Sequence, residues 1–153
     1  MTKLQISEAR VERKNFLMDE LIERIRDGRI DLAPSFRTNI NKWSAEQESL
    51  FIESLLLQIP IPAFYVDASD HERWLIVDGQ QRLNTIRKFL DDELVLDGLE
   101  FLVDFNGKKF SELPRHVQKR IGNTEIVINQ IQPGASDQAK LCLYRRFRAG
   151  QDN

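Results

Sequence analysis

The distribution of apolar residues along the chain predicts five helices. The first covers residues 14–27, where leucine, isoleucine and methionine recur every three or four positions, and it ends at Gly28. The second starts at Ser44, whose spacing to Gln47 matches a capping box, and runs to Leu57. The others are expected at 80–90, from Leu113-Pro114 to about Ile121, and onward from an N-cap at Ser136 or Asp137.

Runs of apolar and β-branched residues between these helices predict strands at 30–32, 63–66, 74–77 and 124–131, with further short strands within 93–106. The segments 64–66 and 74–77 are expected to form a hairpin, and Asn106-Gly107 is a second hairpin signal. The mixture predicts an α/β (α+β) fold with a small mixed sheet flanked by helices. The length of 153 residues indicates one domain, residues 1–153, which is interpreted as a possible N-terminal part of a longer protein.

Composition narrows the class of protein. Apolar residues make up 41% and charged residues 30%, which is typical of a globular protein. The net charge of −2 gives no global attraction to nucleic acid, so any such contact needs a local basic patch. A single cysteine, Cys142, and the lack of a long apolar run favour a cytoplasmic protein with no membrane segment.

The segment Val77-Asp78-Gly79-Gln80-Gln81-Arg82 carries the strongest chemical signal. A buried strand ends there, the chain turns on a glycine, and a helix begins. The first turn of a helix has N–H groups without intrahelical partners, and together with the helix dipole they form a site for an anion such as phosphate. Gly79 permits close approach, Arg82 offers a fork of donors, and Asp78 could hold Mg²⁺.

Structural explanations compete with this interpretation. Asp78 could be only the N-cap of the helix, and Arg82 could pair with Asp91 or Glu93 on the surface. Arg37 and Trp43 are a second pair of candidate ligand-binding residues. The alternative for Arg37 is a solvated side chain, and the alternative for Trp43 is a hydrophobic anchor at the start of the helix. Lys42 and Arg87 are interpreted as ordinary surface charges. A basic cluster near the C-terminus comprises Arg145, Arg146 and Arg148, which also suit the end of a helix.

Five pieces of the sequence, in this order, resemble the N-terminal domain of GmrSD-type restriction endonucleases. They are Pro34-Ser35-Phe36-Arg37, Lys42-Trp43-Ser44, Ile52–Leu57, Ile59-Pro60-Ile61-Pro62 and Val77–Leu83, which contains the DGQQR signature. A weaker similarity continues through Phe110–Pro114 to Tyr144–Phe147, so the resemblance covers most of the chain.

The resemblance implies a ParB/sulfiredoxin-like fold and nucleotide hydrolysis that gates or powers DNA restriction in phage defence. It assigns nucleotide and metal contacts to Asp78, Gln80, Gln81 and Arg82, and it places Arg37 and Gly79 at the phosphates. It also implies Mg²⁺ with an NTP as cofactor, and a C-terminal nuclease domain or a separate nuclease subunit as partner.

Three hypotheses follow. The first is a nucleotide-binding and NTP-hydrolysing domain of a bacterial restriction or phage-defence system, in which Gln80 or Gln81 orients the attacking water. The second is a DNA-binding or regulatory module without turnover, which would use Arg145, Arg146 and Arg148. The third is an assembly domain whose signature motif serves only as a helix cap.

Overall fold

The computed structural model describes residues 10–33 and 42–149, and within these ranges it contains five strands and five α-helices. The strands are β1 (Val11–Leu17), β2 (Ile30–Asp31), β3 (Phe64–Asp67), β4 (Trp74–Asp78) and β5 (Glu125–Ile131). The helices are α1 (Met18–Arg26), α2 (Ala45–Leu56), α3 (Gln80–Leu90), α4 (Arg115–Gly122) and α5 (Asp137–Ala149). None of the helices in this part of the chain is long and apolar enough to cross a membrane.

The five strands form one mixed sheet in the order β1-β5-β3-β4-β2. β3 and β4 are antiparallel, with Val66 opposite Ile76, so the predicted hairpin is confirmed. β5 runs parallel to β3, and β2 runs parallel to β4, while β1 is antiparallel to β5. The α/β class is therefore confirmed, and the ParB/sulfiredoxin-like label stays a prediction.

The hydrophobic core lies between one face of the sheet and helices α1 to α4. Phe64, Val66, Ile76 and Ile128 are completely buried on this face, and the same cluster includes residues from each of the four helices. Tyr65 and Asp67 alternate with Phe64 and Val66 along β3 and so point to the opposite face, where they contact α5. The sheet is thus covered on both sides at β3, next to the turn that leads into α3.

The capping box predicted for α2 is present. Ser44 is the N-cap, its hydroxyl accepts from the Gln47 N–H at 3.1 Å, and the Gln47 side chain accepts from the Ser44 N–H at 2.8 Å. These two bonds satisfy donors that the helix itself leaves without partners. They also fix the start of α2 next to residues 42–43, which matters for the cleft described below.

The predicted helix over 14–27 is wrong for its first residues, because 14–17 belong to β1 and the helix begins at Met18. β1 pairs with β5 over its whole length, from Val11 opposite Ile131 to Leu17 opposite Glu125. The apolar face that predicted the helix begins only at Leu17. Backbone hydrogen bonding to β5 therefore decided the structure of the preceding residues, which are largely exposed.

The predicted short strands within 93–106 are also wrong, since this segment is irregular apart from a short 3-10 helix at Val103–Phe105. The buried carboxylate of Glu53 in α2 accepts the backbone N–H groups of residues 100, 101 and 102 at 2.8–3.2 Å. Burial raises the pKa of Glu53, but these three hydrogen bonds outweigh it and leave that pKa below its ordinary value. The N–H groups of residues 100–102 are therefore bonded to a side chain and not to another strand.

Candidate functional site

The DGQQR segment forms the junction between β4 and α3. Asp78 is the last residue of β4, and Gly79 is the N-cap of α3 with a left-handed φ of +98°. A Cβ added at Gly79 would lie 2.3 Å from Cδ1 of Phe64, so both conformation and space require glycine here. The alternative that Asp78 is the helix N-cap is therefore wrong, because that position belongs to Gly79.

Arg82 lies against the end of the chain that enters β3. Its guanidinium donates to the carbonyl oxygens of Pro62 and Ala63, the second at 3.4 Å, and lies 4.4 Å from the centre of the Phe64 ring. Oδ2 of Asp78, four residues earlier at the end of β4, lies 3.6 Å from a guanidinium nitrogen of Arg82. Burial lowers the pKa of Arg82 from its ordinary value, and the charge of Asp78 opposes that shift. Arg82 thus ties the first turn of α3 to the residues before β3.

The alternative pairing of Arg82 with Asp91 or Glu93 is wrong. Both carboxylates pair with Arg87, Glu93 at 2.8 Å and Asp91 at 3.4 Å, and Asp91 also lies 2.8 Å from Arg26. Arg87 is accordingly a surface charge in an ion-pair network, as predicted. The arginine of the signature motif is separate from this network.

Gln80 and Gln81 hold the chain on both sides of residues 34–41. Nε2 of Gln80 donates to the carbonyl oxygen of Leu32, and Oε1 of Gln81 accepts from the backbone N–H of Trp43 at 3.3 Å. The two amides therefore connect the start of α3 to residues just before and just after that segment. Arg37, which was predicted at the phosphates, lies outside the described residues.

A cleft of about 340 Å³ opens along the same face of α3, and we call it the α3 cleft. Leu32, Ala33 and Trp43 form its apolar lining. Its polar lining consists of Lys42, Glu48, Gln80, Gln81, Asn84 and Lys88. The four α3 residues in this set follow from helical spacing, since positions 80, 84 and 88 are one turn apart and 81 is adjacent.

Trp43 has two roles in this geometry. Its ring packs edge-on against Phe51 of α2 at a centroid distance of 5.5 Å, which agrees with the predicted hydrophobic anchor. The residue is also half-buried and lines the α3 cleft. An aromatic ring is therefore held rigidly at the edge of a polar cleft.

The charges of the cleft come from two lysines and a buried glutamate. Nζ of Lys88 lies 3.0 Å from both carboxylate oxygens of Glu48, whose side chain is 9% exposed. The Thr85 hydroxyl contacts the same carboxylate at 3.3 Å and the Gln81 carbonyl oxygen at 2.7 Å. Lys42 is exposed and has no ion-pair partner within the described ranges, so the interpretation of Lys42 as an ordinary surface charge missed its place at the cleft.

Sequence reasoning also missed Glu48, Asn84 and Lys88. The helical spacing of Gln80, Asn84 and Lys88 was a signal that these side chains share one face. Glu48 gave no such signal, because a glutamate in the first turn of a helix is expected at the surface. Its burial follows from the packing of α2 against α3.

The structure does not bring the basic cluster of α5 into the α3 cleft. Arg145 and Arg146 are exposed on α5, and nothing is described of the Arg148 side chain. α5 is held to β3 by Tyr65, whose ring lies 4.3 Å from that of Phe147, and by a hydrogen bond from the Tyr144 hydroxyl to Asp67.

Asp67 is the buried charge beneath α5. Its carboxylate accepts from the Ser69 N–H at 2.9 Å and from the Ser69 hydroxyl at 2.6 Å, and Nζ of Lys140 lies 3.8 Å away. Burial raises the pKa of Asp67, but the hydrogen bonds from Ser69 and Tyr144 and the charge of Lys140 leave it below its ordinary value. The site is a polar anchor for the helix.

The carboxylates near the DGQQR turn and the α3 cleft are the candidate ligands for a metal ion. Within the described residues, no group of three or more histidine, cysteine, aspartate or glutamate side chains is placed to hold an ion. Asp78 pairs with Arg82, and both oxygens of Glu48 face Lys88. The described residues therefore form no resident Mg²⁺ site of three or more such side chains.

Comparison with known proteins identifies the family. Searches of curated proteins and of solved structures found no match. The family model described as the N-terminal domain of the GmrSD restriction endonuclease matches residues 18–147, which include β2 to β5, the DGQQR turn and the α3 cleft, whereas β1 precedes the match. The chain therefore belongs to the family of GmrSD restriction endonuclease N-terminal domains, and so to the components of restriction systems.

Proposed function

We propose that this domain binds a nucleoside triphosphate in the α3 cleft and hydrolyses it in the service of a restriction or phage-defence system. The observation that carries the proposal is the cleft itself, which places two lysines, three amide side chains and a tryptophan along the helix that starts at the DGQQR turn. Its volume of about 340 Å³ is within the usual range for small-molecule sites.

Each part of the lining suits a part of a nucleotide. Lys42 and Lys88 offer ammonium donors to phosphate oxygens. Gln80, Gln81 and Asn84 can donate or accept without adding charge, and the Trp43 ring suits stacking with a base. The positive end of the α3 dipole adds to the attraction for phosphate.

Mg²⁺ enters this proposal as part of the nucleotide substrate. Within the described residues no group of three or more histidine, cysteine, aspartate or glutamate side chains is placed to hold an ion, so no step is assigned to a metal held by the protein. The role of Asp78 as a metal ligand stays a prediction.

Hydrolysis of a phosphoanhydride depends on positioning and charge neutralisation more than on covalent chemistry by the protein. The two lysines would neutralise phosphate charge, and a side-chain amide of Gln80 or Gln81 would orient the attacking water. Gln80 already donates to the carbonyl oxygen of Leu32 and Gln81 accepts from the Trp43 N–H, so both amides are positioned by the chain that borders the cleft.

Arg82 and Arg37 are the remaining predicted phosphate contacts. For Arg82 to bind phosphate, its guanidinium would exchange a carbonyl partner at Pro62 or Ala63 for a phosphate oxygen. We therefore assign Arg82 to positioning of the α3 start, and the phosphate contact is the competing assignment. Arg37 stays a predicted contact.

The test is a titration of the full chain with Mg²⁺ and ATP, GTP or CTP. Binding is measured by isothermal titration calorimetry and by the change in tryptophan fluorescence. Trp43 lies at the cleft, and Trp74 is 4% exposed, so the fluorescence change should come mainly from Trp43. We expect saturable binding by the parent and about a tenfold or greater loss of affinity in Lys42→Ala, because a charged hydrogen bond to phosphate is lost.

Lys119→Ala is the matched control, since Lys119 is an exposed lysine of α4 that does not line the cleft. Equal affinities of Lys42→Ala and Lys119→Ala would place the nucleotide elsewhere, and no binding by the parent would refute the proposal. Release of inorganic phosphate then tests hydrolysis, and a Gln81→Ala variant with unchanged turnover would remove Gln81 from the mechanism.

A second candidate function is DNA binding by α5. Arg145 and Arg146 are exposed there and have no ion-pair partner among the described residues. In this proposal the domain contacts DNA phosphates through these two arginines and Arg148, and cleavage belongs to a C-terminal nuclease domain or a separate nuclease subunit. A cytoplasmic location stays a prediction.

DNA binding of this kind should weaken steeply with salt, because each phosphate contact releases counterions. The double variant Arg145→Ala, Arg146→Ala should reduce the slope of log affinity against log salt by about 2, with unchanged nucleotide binding. The measurement is fluorescence anisotropy of a labelled duplex at several salt concentrations. A parent affinity that is independent of salt would exclude this candidate.

A further inference from the structure

Glu48 places a buried negative charge in the wall of a cleft that is otherwise suited to anions. The residue is 6% exposed, and Lys88 lies 3.0 Å from both of its carboxylate oxygens. Thr85, which is completely buried, contacts the same carboxylate through its hydroxyl at 3.3 Å. The carboxylate is thus fixed from two sides by residues of α3.

The pair changes the electrostatics of the α3 cleft. Two lysines and one glutamate are the charged groups of its lining, so the described lining has a single net positive charge. Because Lys88 is bonded to Glu48 through both oxygens, an incoming phosphate group meets an ammonium whose charge is already partly compensated. Only Lys42 lacks such a partner in the described lining.

A burial this complete is costly for a carboxylate and is sustained only by good partners. The fold has a second buried glutamate on the same helix, Glu53, and it anchors a loop through three backbone N–H groups. Glu48 anchors no backbone among the described contacts. Its partners are a cleft lysine and a hydroxyl group, which points to a role in the cleft.

We propose that Glu48 is a specificity-determining residue of the α3 cleft, which makes the cleft prefer a polyphosphate that carries Mg²⁺ over the same polyphosphate without the metal. The inference rests on the proposed nucleotide site. Its carboxylate repels the phosphate chain, and that repulsion grows with the charge of the chain. Mg²⁺ neutralises part of the phosphate charge, so the metal-bound ligand suffers less from Glu48 than the metal-free ligand does.

The experiment compares Glu48→Gln with the parent for binding of ATP, GTP, CTP and inorganic tripolyphosphate, each in excess Mg²⁺ and in excess EDTA. Glutamine keeps the shape of glutamate and removes the charge. We expect the affinity for metal-free ligand to rise by about fivefold or more, and the affinity for the Mg²⁺ form to rise by less than about twofold. The ratio of the two affinities is the quantity that a purely structural role would leave unchanged.

Glu46→Gln is the matched control. It removes the same charge two residues away on α2, where Glu46 is exposed and does not line the cleft. Its effect on the ratio should be negligible at moderate salt, because exposed charges are screened. Thermal melting of both variants verifies that they are folded.

Glu48→Met is a second variant that removes the same charge with an unbranched side chain, and it keeps the inference testable if Glu48→Gln does not fold. Lys88→Met removes a positive charge from the lining, so metal-free ligand should lose more affinity than the Mg²⁺ form. A ratio that shifts toward metal-free ligand in a Glu48 variant, and in the opposite direction in Lys88→Met, supports the proposal. Equal changes in both ligand forms, or no change, overturn it.

The results also separate this inference from the proposed function. If nucleotides bind and the ratio does not respond to Glu48→Gln, the inference is wrong and the nucleotide site stands. If only tripolyphosphate binds and its ratio shifts, nucleotide recognition is wrong and the selectivity of Glu48 stands. If neither nucleotide nor tripolyphosphate binds the parent, both are wrong.

Discussion

The two sides of the α3 start use the same five-residue motif in different ways. On one side, which we call the packed side, Gly79 and Arg82 lie against Phe64, and Asp78 pairs with Arg82. On the other, Gln80 and Gln81 line the α3 cleft together with Lys88. The packed side fixes the position of the helix, and the cleft side contributes polar side chains to the lining of the α3 cleft.

This difference shows that residues of a signature motif can be required for two different reasons. A residue can be indispensable because the fold needs it, or because a ligand needs it. Gly79 belongs to the first kind on the geometry, since a Cβ would overlap the Phe64 ring. Lys88, outside the motif, lines the cleft. The motif therefore marks the location of the site better than it marks every residue that forms it.

The largest effect on the packed side is expected for Gly79→Ala. The left-handed φ of +98° strains alanine, and its Cβ would lie 2.3 Å from a ring atom of the completely buried Phe64. Strain and overpacking together should lower the free energy of unfolding by about 2–4 kcal/mol. Urea denaturation of the full chain measures this change.

Gly28→Ala is the matched control, because it places alanine in the same left-handed conformation but without a steric clash. Gly28 has a φ of +73°, and a Cβ there would meet no atom within 4 Å. Its cost should be only about 1 kcal/mol, from the left-handed backbone alone. If the two variants are destabilised equally, the packing against Phe64 contributes nothing and the packed side is not a tight contact.

The starts of α2 and α3 and the central hairpin could be predicted from sequence because their causes are local. Ser44 and Gln47 cap α2 as predicted, and α3 begins at Gln80 directly after the predicted glycine turn. The errors arose where a distant partner decided the structure. Residues 14–17 became a strand because β5 lies beside them, and within the segment 93–106 the N–H groups of residues 100–102 are bound by Glu53 instead of by another strand.

In the candidate site, too, local features could be predicted from the sequence and contacts between distant residues could not. The glycine turn that begins α3 could be predicted, because a glycine between an apolar strand and a helix is a local pattern, and anion binding there stays a prediction. The orientation of Arg82 could not, since its partners at Pro62 and Ala63 are about twenty residues earlier in the chain. Glu48 and Lys88 are 40 residues apart, and only the packing of α2 on α3 brings them together.

Arg82→Lys tests whether the motif arginine belongs to the packed side or to the ligand. Lysine keeps the charge but cannot reproduce the planar fork that donates to Pro62 and Ala63 and stacks on Phe64. We expect the free energy of unfolding to fall by about 1–3 kcal/mol, because partly buried hydrogen bonds are lost.

Nucleotide affinity of the folded Arg82→Lys variant should stay within about threefold of the parent, measured at a temperature well below its unfolding transition. The two measurements together discriminate between three roles. A loss of stability with retained affinity assigns Arg82 to the packed side, whereas a large loss of affinity in a stable variant would establish the predicted phosphate contact. A loss of stability in a domain whose parent binds no nucleotide would favour an assembly domain, because the motif would then serve the fold alone.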